Sequence, residues 1–358
     1  MNEQRIARVL DRLKELGLTQ MLIVDPRSIY YLTDVSVAPF ERFFGLYLNT
    51  NGKHVLFLNR LFTVPDNIPM RQVWFSDTDP VTDLLAEVID PAAPLGVDKD
   101  LKARFLLPLM ERHAAAGFVC SSYAVDITRA VKDEEERKKM RISSALNDQA
   151  MAQFKALIHE GITELEAANQ MKQIYLDLGC EDFSFTPIVS FGANAADPHH
   201  EPDDTVLKPG DCVLFDVGGL KDGYCSDMTR TFYYKEVSSR CRMVHDLVRA
   251  ANAAAEAVIR PGIPIAQIDA AARDLITEAG FGPNFNHRLG HFIGLDIHEY
   301  GDVSSANEWL AQPGMIFSVE PGIYLAGETG VRIEDLVLVT EDGCEILNHY
   351  PKELEIIE

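Results

Sequence analysis

Apolar residues recur at three-and-four spacing through MNEQRIARVLDRLKELGL, which predicts a helix over 4–16 ended by Gly17. The pattern then shifts toward a period of two. Strand-like MLIVD (21–25) and YYLTD (30–34) lead into FFGLYLNTNGKHVLFL (43–58), whose Asn51-Gly52 predicts a hairpin turn. A helix near 79–89, strand-like PLGVD (94–98) and FVCSSYAVD (118–126), and a helix over 101–116 between them complete an α/β pattern. The charged stretch Lys132–Arg141 opens a different regime, placing a domain boundary near 126–131 and giving domains of 1–128 and 129–358.

In the second domain the helical period returns over 132–160, 163–178, 236–259 and 264–279, with Pro261-Gly262 and Gly280 as punctuation. Between and after these helices the apolar runs are short, as in strands. Val213-Leu214-Phe215 leads into Asp216, and Asp227 follows the turn-forming Lys221-Asp222-Gly223. A two-residue turn at 221 and 222 would set the two carboxylates directly opposite each other. Met315–Val319 leads into Glu320, Gly327–Gly330 forms a loop, and Val331-Arg332-Ile333 leads into Glu334. Two hairpins therefore carry four carboxylates, and His291 lies between them in sequence.

Composition narrows the context. The chain has 358 residues, 47% hydrophobic and 25% charged, enough for two globular domains. Its formal charge of -22 argues against a phosphate-backbone partner, because nucleic-acid binding needs a basic face. No run approaches the length of an apolar membrane span. The mixed-charge start is unlike a signal peptide, and the cysteines at 120, 180, 212, 225, 241 and 344 have no CxxC spacing. A soluble enzyme with reduced cysteines in the cytoplasm is the expectation.

Four carboxylates gathered in an apolar frame repel one another and lose hydration unless cations neutralise them. Two divalent ions are the natural remedy. One imidazole among oxygen ligands suits Mn²⁺, Co²⁺, Fe²⁺ or Zn²⁺ better than Ca²⁺, and shared carboxylates can bridge ions about 3.5 Å apart.

The strings LFDVGGLKDGYCSDMTRTF (214–232), HRLGHFIGLDIHE (287–299), FSVEPGIY (317–324) and GVRIEDLVLVTEDG (330–343) resemble the metal-binding motifs of the pita-bread metallopeptidases, the family of proline dipeptidase, aminopeptidase P, methionine aminopeptidase and creatinase. The resemblance runs from about residue 130 to the end. It implies a two-domain α/β protein: a small creatinase-like N-terminal domain and a C-terminal pita-bread (α+β) catalytic domain with pseudo-two-fold symmetry. It also implies a metal set of Asp216, Asp227, His291, Glu320 and Glu334. Asp227 and Glu334 would bridge two ions, most readily Mn²⁺, with Co²⁺ or Zn²⁺ as substitutes.

The resemblance further implies catalytic roles. A hydroxide between the two ions would attack the scissile carbonyl, Glu320 would carry the proton to the leaving nitrogen, His298 would stabilise the oxyanion, and His199 in ADPHHEP would position substrate. GANAADPHHEPDD and the ending NHYPKELEII resemble bacterial Xaa-Pro dipeptidases, so small peptides are the expected substrates and a homodimer the expected assembly. Aminopeptidase P action on longer peptides and a creatinase-like or metal-free use of the fold stay open. Arg42, in a loop resembling one that reaches a partner's site, or Arg332 would pair with the substrate carboxylate; the rival for Arg42 is a surface charge and for Arg332 a buttress of the ligands. Phe292 stands where the family commonly has glycine, and its ring would narrow the pocket or stack on proline. The run Tyr300–Val303 lacks the proline expected after His298-Glu299.

Overall fold

A computed structural model describes all residues from 1 to 358. The chain divides into two compact units, Met1–Thr128 and Arg129–Glu358.

The first unit is built on a six-stranded sheet whose order is Arg71–Phe75, Val55–Asn59, Gly45–Asn49, Gln20–Ile23, Leu95–Val97, Phe118–Cys120. The two middle pairings around the hairpin are antiparallel and the outer ones parallel. Gly52, at φ 83°, turns the hairpin at the expected Asn-Gly. The segment YYLTD is not a strand. Asp25 caps a helix over Pro26–Thr33 by accepting from the Arg27 and Ser28 amides, Pro26 fills its first turn, and Asp34 ends it in the left-handed region. Similarly, FVCSSYAVD is strand only to Cys120; Tyr123–Ala130 is helix.

The second unit pairs Glu134–Lys155 with Glu164–Asp177, and Ser239–Val258 with Ile265–Glu278. Asp133 and Thr163 each begin a helix with a reciprocal capping box, to Glu136 and Glu166 respectively. The first pair buries Met151, Phe154, Met171 and Tyr175 against Phe215 and Phe232 of a four-stranded sheet. A five-stranded sheet contains Gly290–Phe292, Ile316–Val319 and Asp335–Val339. All the carboxylates of interest sit at strand ends or in breaks of strand pairing.

The first hairpin is offset by two residues from the sequence expectation. Asp216 pairs with Thr229, not with Asp227, and the register continues as Leu220 to Cys225 and Lys221 to Tyr224. The turn is therefore Asp222-Gly223, with φ 49° and 75°, because an Asp-Gly pair tolerates the left-handed conformation that a two-residue turn needs and Lys221 does not. Asp216 and Asp227 become diagonal neighbours on one face. In the second hairpin Val319 pairs with Asp335 and Gly322 with Arg332, so the register carried across the intervening break sets Glu320 opposite Glu334.

Candidate metal centre

Asp216, Asp227, His291, Glu320 and Glu334 line one cavity of about 470 Å³. Single ligand atoms of Asp227, His291 and Glu334 lie within 4.8 Å of one another. His291 Nε2 is 3.4 Å from Asp227 Oδ2 and 3.6 Å from Glu320 Oε1, while its Nδ1 lies 3.2 Å from the Phe292 carbonyl. That backbone contact orients the ring and leaves Nε2 for the cavity. Gly290, just before it, has no room for a side chain, because a Cβ there would collide with the Ser318 carbonyl.

Three of the four carboxylates are held from behind. Arg332 Nη2 donates to Asp216 Oδ2 at 2.6 Å, Thr229 Oγ1 to Glu334 Oε2 at 2.7 Å, and Ser318 Oγ to Glu320 Oε1 at 3.1 Å. In contrast, Asp216 Oδ1, Asp227 Oδ1 and Glu334 Oε1 are buried with no hydrogen-bond partner. Buried carboxylate oxygens left so are costly, and a cation is the partner that this donor set fits. Burial and mutual repulsion appear in the titration as well. Asp227 is pushed well above the usual carboxylate range by burial and then by Asp216. Burial and then Asp227 do the same to Glu334, and burial takes Glu320 to about 7. The residues present fit divalent ions.

His298 also lines the cavity, its ring edge-on to His291 with centroids 4.3 Å apart. The enclosing wall lowers its pKa to about 4, helped by His291 and Arg288, so it is neutral at pH 7. His199 is exposed and lines the same cavity, whereas His200 turns to Glu164, Nε2 to Oε2 2.7 Å. Glu164, His200 and Asp203 form a second group of metal-capable side chains. Both Glu164 oxygens are already taken, one by Phe191 N and Asn194 Nδ2, the other by His200 and Asp203 N. That group is a knot tying down the 191–203 loop.

Three expectations change. Phe292 does not enter the cavity: strand alternation turns it to the face opposite His291, where it is fully buried against Phe317 and Trp309, with centroids 5.5 and 5.8 Å away. Arg332 is not free to take a substrate carboxylate, since its three guanidinium nitrogens are committed to Thr229, Tyr324 and Asp216; its place is the buttress. Arg42, in the first unit, spends its guanidinium on Asp77 and Glu41 as a surface ion pair.

Sequence reasoning missed Thr229, Ser318, Tyr324 and His287. The signal was the strand period itself. Thr229 and Ser318 stand two residues from the ligands Asp227 and Glu320, on the same face, and Tyr324 stands four beyond Glu320. His287 receives the Tyr324 hydroxyl at its Nε2, 2.9 Å away.

Residues 138–341 match the model of metallopeptidase family M24, and residues 5–131 that of the creatinase/prolidase N-terminal domain. An uncharacterised peptidase of Staphylococcus aureus is 36% identical over 97% of this chain and 99% of its own length. Among solved structures, the dipeptidase PepE of Mycobacterium ulcerans superposes with a TM-score of 0.93 at 33% identity, covering 99% of this chain and 97% of its own. The recombinant prolidase of Thermococcus sibiricus gives 0.90 at 30%, covering 100% and 99%.

Proposed function

Because the chain belongs to metallopeptidase family M24, with a creatinase-type N-terminal domain before a pita-bread catalytic domain, we propose that it is an Xaa-Pro dipeptidase working with two divalent ions. The observation that carries this is the set of unpartnered buried oxygens on Asp216, Asp227 and Glu334, facing a cavity that His291 and Glu320 complete. The likeness to a dipeptidase and a prolidase supports the substrate class. An Xaa-Pro bond has no N–H, so its hydrolysis calls for a dedicated site.

Asp216, Asp227, His291, Glu320 and Glu334 would hold the ions. When bound, such ions supply Lewis acidity that makes water a usable nucleophile near neutral pH and polarises a carbonyl. The protein does the rest. Glu320 takes a proton from the attacking water and passes it to the leaving nitrogen, which as part of the proline ring must be protonated to depart. Neutral His298 donates to the oxygen of the former carbonyl as negative charge gathers there. His199 positions the peptide from the exposed wall. Manganese is our choice of ion, the assembly a homodimer, and the compartment cytoplasmic; the six free cysteines support the last.

The test is hydrolysis of a dipeptide Xaa-Pro and a tripeptide Xaa-Pro-Yaa by metal-stripped protein resupplied with Mn²⁺, Co²⁺ or Zn²⁺. Metal-dependent cleavage of the dipeptide alone is expected. Cleavage of the tripeptide would make it an aminopeptidase P, and cleavage of neither with metal bound would defeat the peptidase assignment.

A further inference from the structure

The C-terminal run NHYPKELEII adds nothing to the cavity wall, yet its Lys352 is drawn into the protein behind the ligands. The ammonium meets three side chains: Asn252 Oδ1 at 2.8 Å, Glu256 Oε1 at 2.7 Å and Asp335 Oδ2 at 2.6 Å. All three partners are buried. Two of them lead straight to a ligand. Asp335 is the residue after Glu334, and Asn252 Nδ2 donates at 3.0 Å to the carbonyl of Val319, the residue before Glu320.

Arg230 closes the same frame from the other side. Its Nη1 donates to the Thr229 and Glu334 carbonyls at 2.9 and 2.7 Å, its Nη2 to Asp335 Oδ1 and the Tyr350 carbonyl at 2.8 and 2.7 Å, and its Nε to the Pro351 carbonyl at 3.0 Å. One buried guanidinium thus joins the strand that follows Asp227, the ligand Glu334 and the tail.

Anchoring the tail does not require Lys352. Asp148 accepts from the His349 and Tyr350 amides at 2.8 and 3.0 Å, Lys155 pairs with Glu355, and Ile356 and Ile357 pair with Tyr233 and Tyr234. Burying two acids and two bases costs desolvation that a well-packed apolar contact avoids, so stability alone gives little reason for the cluster. What it supplies is a fixed geometry behind two carboxylates that repel each other. Without the ammonium, Glu256 and Asp335 face each other as like charges; burial and then Asp335 already hold Glu256 up at about 7.

We infer that the C-terminal segment is part of the frame of the metal site, and that Lys352 is a positioning residue that holds Glu334 through Asp335 and Glu320 through Asn252, so setting the affinity for the ions. This rests on the metal-site reading above. Partners standing behind metal ligands typically govern affinity by about 10- to 100-fold.

The experiment titrates Mn²⁺ into metal-stripped wild type, Lys352→Met, Lys352→Gln and Lys352→Arg by calorimetry, with urea unfolding of each metal-free protein alongside. The dissociation constant should rise about 10- to 100-fold in Lys352→Met and Lys352→Gln, and stay within about threefold of wild type in Lys352→Arg, which keeps the charge. Folded Met or Gln variants that bind Mn²⁺ as wild type does, whatever their loss of stability, overturn the inference. Wild type supplies a second measurement that needs no variant to fold. Coupling between two sites is reciprocal, so Mn²⁺ should slow hydrogen exchange at the His349 and Tyr350 amides more than in the Glu164–Asp177 helix. Equal slowing in both places overturns the inference and leaves the metal site standing, whereas wild type that takes up no Mn²⁺ overturns both.

Discussion

Glu299 follows His298 directly, and its carboxylate is 4% exposed. Oε1 accepts from Arg129 at 2.7 Å and from the Leu295 amide at 3.1 Å, and Oε2 accepts from Lys132 at 3.1 Å. Burial opposes ionisation there, but Arg129 and Lys132 outweigh it and bring the pKa from its ordinary 4.5 to about 2. A depressed carboxyl pKa contributes stability that is complete above the unfolded value and is lost as pH falls toward the folded one. The difference between 4.5 and about 2 corresponds to about 3 kcal/mol at pH 7, of which about 2 is gone by pH 3. Glu299→Gln should therefore be less stable than wild type by about 3 kcal/mol at pH 7 and by only about 1 at pH 3. The assay is urea unfolding of the metal-free proteins at both pH values. Trp309 is the reporter, 6.0 Å from the neighbouring Tyr300 ring, and Trp74→Phe in both backgrounds silences the other tryptophan. A stability difference between wild type and variant that is the same at pH 7 and pH 3 would refute the assignment of this network as a charge-stabilised anchor.

Further outcomes follow from the site. His298→Ala should keep its metal content while kcat falls about 10²- to 10³-fold, as for removal of an oxyanion donor; unchanged turnover would remove that role. Phe292→Ala should cost about 3–5 kcal/mol in unfolding experiments, as for a buried ring, and leave KM within about twofold; a changed KM with intact stability would return the ring to the pocket. Because Asp227, Glu334 and Glu320 hold protons more tightly than ordinary carboxyls, ion binding must release them, and chelator competition should show affinity falling by at least about tenfold per pH unit from 7 to 6. A flat dependence would mean that the carboxylates are already ionised in the metal-free protein.

The long helices of the second unit were legible because their cause, the apolar spacing, is local. YYLTD was misread because its aromatic content suits a strand, while the Asp25-Pro26 start that makes it a helix lies just outside the segment. The slip in the first hairpin had the same character. The Asp-Gly pair that fixes the register was in the sequence, and placing the turn one residue early moved Asp227 from diagonal to directly opposite.

By itself the sequence determined which side chains could bind metal, that they ride on two hairpins, and that the resemblance points to one family. Only the tertiary structure decided which charges were already spent. Arg332 reaches Asp216 across 116 positions, and Arg129 reaches Glu299 across 170. Strand and helix preferences are set by neighbours in the chain. The compensation of a buried charge is set by whatever the fold brings within hydrogen-bond reach, and that partner need leave no mark near it in sequence. The same packing committed Arg332 and Arg42 and turned Phe292 into the core.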